Sequence, residues 1–178
     1  EDDAADRPLA AYPASKRAAE ILAHSYHHLH GMSVTVLRFF NVYGPAGRPD
    51  MMPLRLMHAI TNQTPITIFN KGEIQRDWTY IDDTVAGILA AWERPQGYMV
   101  FNLGLGSPVS LNAFIDIIED LTGQTAIRQD VPAPPSEPPI TYCNNAQARA
   151  LLGFAPQVTL EAGLGHTWAW FQRTYLKP

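Results

Sequence analysis

The run Val34-Thr35-Val36-Leu37-Arg38-Phe39-Phe40 has the composition of a β-strand, because it is short and rich in β-branched and aromatic residues. Its near-continuous apolar character predicts a strand buried on both faces, as in a parallel sheet. Upstream, apolar residues recur at spacings of three and four from Ser15 onward, and Gly31 supplies a stop, which predicts a helix. The buried-looking Arg38 needs a partner, which would be Asp77, a helix end or a ligand.

The same alternation continues along the chain and indicates an α/β fold. The predicted elements are a loop over 43–49, a helix around 52–62, a strand at 66–69, a turn at 71–72, an extended piece at 78–81, a helix over 85–92 capped by Asp82-Asp83, a strand at 99–103, a helix over 111–121 between Ser110 and Gly123, an irregular proline-rich stretch at 132–139, and two closing helices.

Composition narrows the class of partner. The 178 residues carry a net charge of -4, whereas a nucleic-acid-binding face would be basic. Ten of the thirteen cationic residues are arginines, whose planar donor fork suits phosphate and carboxylate. No apolar run is long enough to span a bilayer. The single cysteine, Cys143, cannot form an internal disulfide, so an oxidising compartment is not implied, and we expect a cytoplasmic protein.

A Tyr-x-x-x-Lys pair lies where the first helix begins. Residues four apart share a helix face, so the ammonium of Lys16 is expected near the phenol of Tyr12. A neighbouring cation favours phenolate and lowers the pKa of a tyrosine, which makes it usable as a base. The spacing by itself is more typical of a tyrosine and a lysine on the surface of a helix, without a catalytic role.

Four strings, the first of which contains this pair, indicate its role. They are Pro8 to Glu20 around the pair, Leu37-Arg38-Phe39-Phe40-Asn41-Val42-Tyr43-Gly44-Pro45, Gly47-Arg48-Pro49-Asp50-Met51, and Arg76-Asp77-Trp78-Thr79-Tyr80-Ile81-Asp82-Asp83, and Asn102-Leu103-Gly104 follows ahead of the Ser110-capped helix. In order and spacing they resemble the NAD-dependent epimerase/dehydratase family of extended short-chain dehydrogenases/reductases. Within that family the third and fourth strings most resemble UDP-glucuronate 4-epimerases.

This resemblance implies the C-terminal part of a Rossmann-type fold with its smaller substrate-binding domain. Residues 1–44 would supply the catalytic loop, helix and strand of the Rossmann-type domain. Residues 45–178 would form the nucleotide-sugar region, with some segments returning to the Rossmann sheet. The N-terminal half of the Rossmann domain would be absent.

The resemblance also implies roles for the residues beside NAD. Tyr12 would take the proton of the sugar 4-hydroxyl while hydride passes from C4 to NAD. Lys16 would lower the pKa of Tyr12 and hold the nicotinamide ribose. Phe40 would line the nicotinamide site. A 4-keto intermediate would turn over in the site and be reduced on its other face.

A second set of residues would bind the UDP-sugar. Asn41 and Arg76 would contact the diphosphate. Arg48 would pair with the carboxylate of glucuronate, a task for which arginine is better suited than lysine. Thr67 and Phe69 would flank the uracil.

Two features depart from the family pattern. The glycine-rich turn that receives a dinucleotide pyrophosphate is missing from these residues, so we expect the isolated chain to bind NAD weakly and to be inactive. The 132–139 stretch reads Pro134-Pro135-Ser136-Glu137-Pro138 where epimerases usually carry Pro-Gly-Asp. Glu137 would replace the aspartate as a contact to the ribose.

Several alternatives stay open. Within the family, the activity could be that of a UDP-glucose 4-epimerase, a nucleotide-sugar dehydratase or a decarboxylase. In another class, the chain could be a truncated, non-catalytic module that binds UDP-sugars or a partner. A lone half would leave the strand at 34–40 without neighbours, which predicts association, with a homodimer as the expected state. His24 and His28 could share a face for a metal, but a solvated face is favoured and no metal is expected.

Overall fold

The computed structural model describes residues 8–176, and within this range the chain forms six α-helices, eight β-strands and one 3-10 turn. The helices are α1 (Ala11–His30), α2 (Met52–Thr61), α3 (Ile81–Trp92), α4 (Leu111–Thr122), α5 (Ala146–Leu152) and α6 (Leu160–Tyr175). The strands are β1 (Val34–Phe39), β2 (Asn41–Tyr43), β3 (Ile66–Phe69), β4 (Gln75–Tyr80), β5 (Tyr98–Leu103), β6 (Pro108–Ser110), β7 (Arg128–Val131) and β8 (Ile140–Thr141). The 3-10 turn is Asn70–Gly72.

Helix α1 begins earlier than the apolar spacing predicts. It starts at Ala11, so Tyr12 lies in its first turn, and Pro13 is tolerated there because the first N–H groups of a helix have no internal partner. The predicted stop is confirmed: Gly31 adopts a left-handed conformation with φ 63° and donates its N–H to the carbonyl of His27.

Strand β1 pairs in parallel with β5, in a register that places Leu37 beside Phe101 and Phe39 beside Leu103. The predicted parallel pairing is confirmed, but the predicted burial on both faces is wrong. Within residues 8–176, β1 is only half-buried and Phe39 is 49% exposed. The physical reason is that β5 is the only strand beside β1 among these residues.

The larger core forms around β4, which pairs in parallel with β2 and β8 and antiparallel with β6. Helices α2, α4 and α6 pack beside it, and Trp78 contacts Phe114 with ring centroids 4.5 Å apart. Fully buried side chains of this core are Leu54, Leu56, Met57, Ile60, Phe114, Ile115, Ile118, Leu164 and Phe171. A smaller core joins β5 to α5 through Phe101, Leu103, Leu152 and Phe154.

The ends of α4 agree with the prediction, whereas the start of α3 does not. Ser110 caps α4 by accepting the N–H of Ala113 at 3.2 Å, and Gly123 ends that helix in a left-handed conformation, as predicted. The capping role of Asp82-Asp83 is wrong, because α3 already begins at Ile81. Asp83 instead accepts the backbone N–H groups of Gln157 and Val158, at 3.1 and 3.0 Å. None of the helices in residues 8–176 has the length and hydropathy required to cross a membrane.

Helix α6 approaches the central sheet through a glycine. A Cβ atom at Gly163 would lie 2.1 Å from the Tyr43 hydroxyl oxygen and 2.8 Å from Cδ2 of Tyr80. The Tyr43 hydroxyl donates to the Leu160 carbonyl at 3.3 Å, and burial raises the pKa of this phenol. The helix can therefore pack this closely only because residue 163 has no side chain.

We predict that Gly163→Ala lowers the free energy of unfolding by about 1–3 kcal/mol, because the new methyl group overpacks two buried rings. Gly165→Ala is the matched control in the same helix, since no heavy atom lies within 4 Å of its Cβ position. That control should stabilise the protein by about 0.5–1 kcal/mol. Urea denaturation followed by circular dichroism measures both, and equal effects would contradict the packing argument.

Candidate active site

Tyr12 and Lys16 come together at the start of α1. The ammonium nitrogen of Lys16 lies 5.2 Å from the centroid of the Tyr12 ring, within the range of a cation–π contact. Tyr12 is 72% exposed, so its hydroxyl is accessible. The pair borders an open cleft of about 710 Å³ between α1 and β1, whose walls include Pro8, Glu20, Val36 and Phe39. This volume lies within the range of small-molecule sites.

Phe40 and Asn41 lie where β1 passes into β2. The N–H of Phe40 donates to the carbonyl of Leu103, and its ring packs against Gly104. A Cβ atom at Gly104 would lie 3.1 Å from the Phe40 ring and 2.6 Å from Cβ of Cys143, so only glycine permits this packing. Asn41 is aligned with Trp78 in the parallel β2–β4 pair.

Arg48 lies on the loop after β2 and forms a two-pronged ion pair with Asp50, at 3.0 and 2.5 Å. Its side chain is 74% exposed. The hydrogen bonds that Arg48 donates to Asp50 are the main cause that raises the pKa of Arg48. Part of the donor set of this guanidinium is therefore already occupied.

Arg76 and Glu137 are brought together as partners of each other. One terminal guanidinium nitrogen of Arg76 donates both to the Glu137 carboxylate and to the Pro138 carbonyl, the latter at 2.9 Å. The other terminal nitrogen donates to the Gln75 carbonyl at 2.6 Å. The guanidinium is thus anchored to its own strand and to the proline-rich loop.

Thr67 and Phe69 lie on β3, which pairs in parallel with β7. They are half-buried and alternate with the buried Ile66 and Ile68. Because successive strand residues point to opposite faces, Thr67 and Phe69 face away from the core and are available to a ligand.

Asp77 is a structural residue whose partners sequence reasoning did not find. Its side chain is fully buried, and one carboxylate oxygen accepts the N–H groups of Gly106 and Cys143, each at 2.8 Å. It therefore ties β4 to the loop after β5 and to the segment before α5. The partners lie 29 and 66 residues away, so no local spacing could have revealed them.

Arg38 pairs with Glu20 and not with Asp77. Its guanidinium donates to both carboxylate oxygens of Glu20 at 2.7 Å, and Arg17 donates to the same carboxylate at 3.0 Å. The hydrogen bond from Arg38 is the main cause that holds the pKa of Glu20 below its ordinary value. This contact fixes the helix that carries Tyr12 to strand β1. The partners lie 18 residues apart, so no local spacing in the sequence pairs them.

The histidines of α1 make local contacts. His24 packs edge-on against Tyr98 with ring centroids 4.8 Å apart, and Nδ1 of His27 lies 2.6 Å from the Met32 carbonyl. Across residues 8–176, no three His, Cys, Asp or Glu side chains come close enough together to hold a metal ion.

The N-terminal part of the chain matches a known protein family. Residues 1–104 match the model of the NAD dependent epimerase/dehydratase family. Over 171 residues the chain is 42% identical to the UDP-glucuronate 4-epimerase of Thermodesulfobacterium geofontis, with 96% of this chain and 53% of that protein covered. The chain thus spans about half the length of the curated relatives it matches.

Solved structures show the same fold. The UDP-glucuronic acid 4-epimerase of Bacillus cereus, solved with UDP-glucuronic acid and NAD, superposes with a TM-score of 0.89 at 34% identity, covering 95% of this chain and 55% of that one. The UDP-glucose 4-epimerase of Thermotoga maritima, solved with UDP-glucose, gives 0.86 at 29% identity, covering 92% and 53%. The predicted fold class, α/β with part of an extended short-chain dehydrogenase fold, is confirmed.

We predict that Glu20→Gln lowers the free energy of unfolding by about 2 kcal/mol at neutral pH, because charged hydrogen bonds to Arg38 are lost. A carboxyl group whose pKa is lowered on folding stabilises the protein above its unfolded pKa, ordinarily 4.5, and this contribution fades as pH falls through the folded pKa. The difference between the two proteins should therefore shrink in acid. Urea unfolding at neutral and acidic pH tests this, with the exposed Glu93→Gln as control, and a difference independent of pH would refute the ion-pair account.

Proposed function

The chain belongs to the NAD dependent epimerase/dehydratase family, and on that premise we propose that it is the catalytic and substrate-binding part of a nucleotide-sugar 4-epimerase acting on UDP-glucuronate. The observation that carries the proposal is the placement of Tyr12 and Lys16 on one wall of an open cleft. A base and a cation then face one small ligand.

The chain's own residues suit the nicotinamide end of a bound NAD. Tyr12 and Lys16 face the cleft, and Phe40 directly follows β1, with its ring packed against Gly104. When bound, NAD supplies hydride acceptance and return at C4 of the sugar. Tyr12 accepts the proton of the 4-hydroxyl as the C4–H bond breaks and gives it back when the 4-ketone is reduced. Lys16 stabilises the negative charge that Tyr12 carries before it accepts this proton and again after it has returned it.

Arginines hold the anionic groups of the substrate in this proposal. Arg48 pairs with the glucuronate carboxylate, and Arg76, together with Asn41, contacts the diphosphate. Guanidinium groups bind both anions through paired hydrogen bonds. Thr67 and Phe69 flank the uracil, which fits their position on the face of β3 away from the core.

In this proposal the two successive parts of the chain have different roles. Residues 1–44, of which the first seven lie outside the described residues, supply the Rossmann-type catalytic helix and strand. Residues 45–178 form the nucleotide-sugar region, with β5 returning to the side of β1. The protein works in the cytoplasm in this proposal, where nucleotide sugars would be its substrates.

We propose in addition that two copies of the chain associate. Helix α1 carries exposed apolar side chains, and contiguous exposed apolar surface favours association. These residues are Ile21, Leu22, Tyr26 and Leu29. They support a homodimer as the working state.

We predict that Arg48→Ala weakens binding of UDP-glucuronate about tenfold or more, since a charged hydrogen-bonded pair is lost. Binding of UDP-glucose, which has no carboxylate, should change far less. Calorimetric titration of both ligands measures this, and Arg55→Ala, which removes a neighbouring exposed arginine, is the control. Equal losses for the two sugars would refute the carboxylate role and favour a UDP-glucose 4-epimerase.

We also predict that the 178-residue chain binds NAD weakly, because the glycine-rich turn and helix N-terminus that receive the pyrophosphate are missing from its sequence. A calorimetric titration with NAD should show no affinity tighter than about a millimolar dissociation constant. Micromolar affinity would overturn this expectation and would mean that the cleft between α1 and β1 holds the cofactor by itself.

A further inference from the structure

The proline-rich stretch 132–139 is an ordered strap between β7 and β8, not a free linker. The Ala133 N–H donates to Oδ1 of Asn70 at 3.0 Å, and the Gln75 N–H donates to the Pro139 carbonyl at 2.9 Å. Between these anchors, the Glu137 N–H closes a turn onto the Pro134 carbonyl at 2.9 Å. The turn therefore presents the Glu137 side chain toward β4 from a backbone held at both ends.

The carboxylate at the tip of this turn meets Arg76. The Arg76 side chain is 15% exposed and that of Glu137 is 34% exposed, so the contact lies at the border of the protein surface. The guanidinium nitrogen that donates to Glu137 also donates to the Pro138 carbonyl. Glu137 thus occupies a position on the Arg76 guanidinium at which another anion could bind. Backbone carbonyls of β4 and of the strap hold the guanidinium in place.

Glu137 and a ligand phosphate would compete for the same donors. A phosphate oxygen carries negative charge and seeks the same N–H groups as a carboxylate. Both anions near one guanidinium would repel each other, and this repulsion is strongest where water is partly excluded. Backbone carbonyls of Gln75 and Pro138 keep Arg76 in place, so the ligand can displace the side chain of Glu137 without losing the arginine.

We propose that Glu137 is an internal substitute for the diphosphate: it occupies Arg76 in the free protein and is displaced when a nucleoside diphosphate binds. This inference rests on the proposed function, in which Arg76 contacts the diphosphate. It replaces the expected ribose contact of Glu137 with a different role. Glu137 lowers the affinity for UDP and raises selectivity, because only a ligand with an anionic group at that position can take over its partner.

The two possible roles of Glu137 predict opposite changes in UDP affinity when its charge is removed. As a competitor, Glu137→Gln keeps the size of the side chain, removes its charge, and should tighten UDP binding about threefold or more, since the ligand no longer displaces an ion pair. Binding of uridine, which lacks phosphates, should stay the same. If Glu137 were a ribose ligand, it would instead contribute to the binding of both UDP and uridine. Glu137→Gln would then weaken the binding of both ligands.

The experiment is a calorimetric titration of UDP and uridine onto the unaltered chain, Glu137→Gln, Arg76→Ala and the control Glu93→Gln, with folding of each checked by circular dichroism. Tighter UDP binding by Glu137→Gln alone supports the proposal. Weaker or unchanged UDP binding by Glu137→Gln, alongside a clear loss in Arg76→Ala, overturns it and leaves the proposed function standing. UDP binding that Arg76→Ala does not weaken removes the phosphate role of Arg76 from the proposed function, and the competition falls with it.

Discussion

Pairing on both sides of β4 is the constraint on which the rest of the described structure depends. The strand runs parallel to β2 and β8 and antiparallel to β6, and it continues directly into α3. It carries Arg76 toward the proline-rich strap, while the buried carboxylate of Asp77 fastens two distant backbone segments. A shift of this strand by one residue would exchange these faces and lose both contacts at once.

Several arginines of the chain are compensated by carboxylates of the same chain. Arg38, Arg48 and Arg76 each pair with a carboxylate of this chain, yet the environments differ. The pair of Arg38 with Glu20 is mostly buried and joins a helix to a strand, so its purpose is structural. The pair of Arg48 with Asp50 is open to solvent, where ion pairs add little stability and are easily exchanged. The two arginines proposed to bind substrate thus stand in pairs that a ligand anion can replace.

The apolar surface of α1 and the half-buried state of β1 have a common origin in the two-stranded sheet. Among residues 8–176, β1 has a strand on one edge only, and α1 covers it while leaving much of its own apolar face to solvent. Exposed edges and apolar faces favour further association. Tyr12 and Lys16 lie beside this surface, so whatever packs against α1 and β1 also shapes the cleft that these two residues border.

Local sequence determined the chemical inventory and part of the elements, but it did not predict the short strands β2, β6, β7 and β8. The β-branched run at 34–39, the left-handed glycines after α1 and α4, and the serine cap of α4 follow from propensities that act over a few residues. The Tyr12–Lys16 contact follows from helix geometry alone.

Tertiary structure decided which charges meet. Glu20 with Arg38, Asp83 with the segment before α6, and Glu137 with Arg76 are separated by 18, 74 and 61 residues. The partners are brought together by strand register and helix packing, which no local spacing encodes. The sequence by itself determined that arginines would be present to bind anions, and that carboxylates would be present as their possible partners. Only the folded chain decided which of them compensate each other and which a ligand can reach, because Coulomb attraction depends on distances in space and not on positions along the chain.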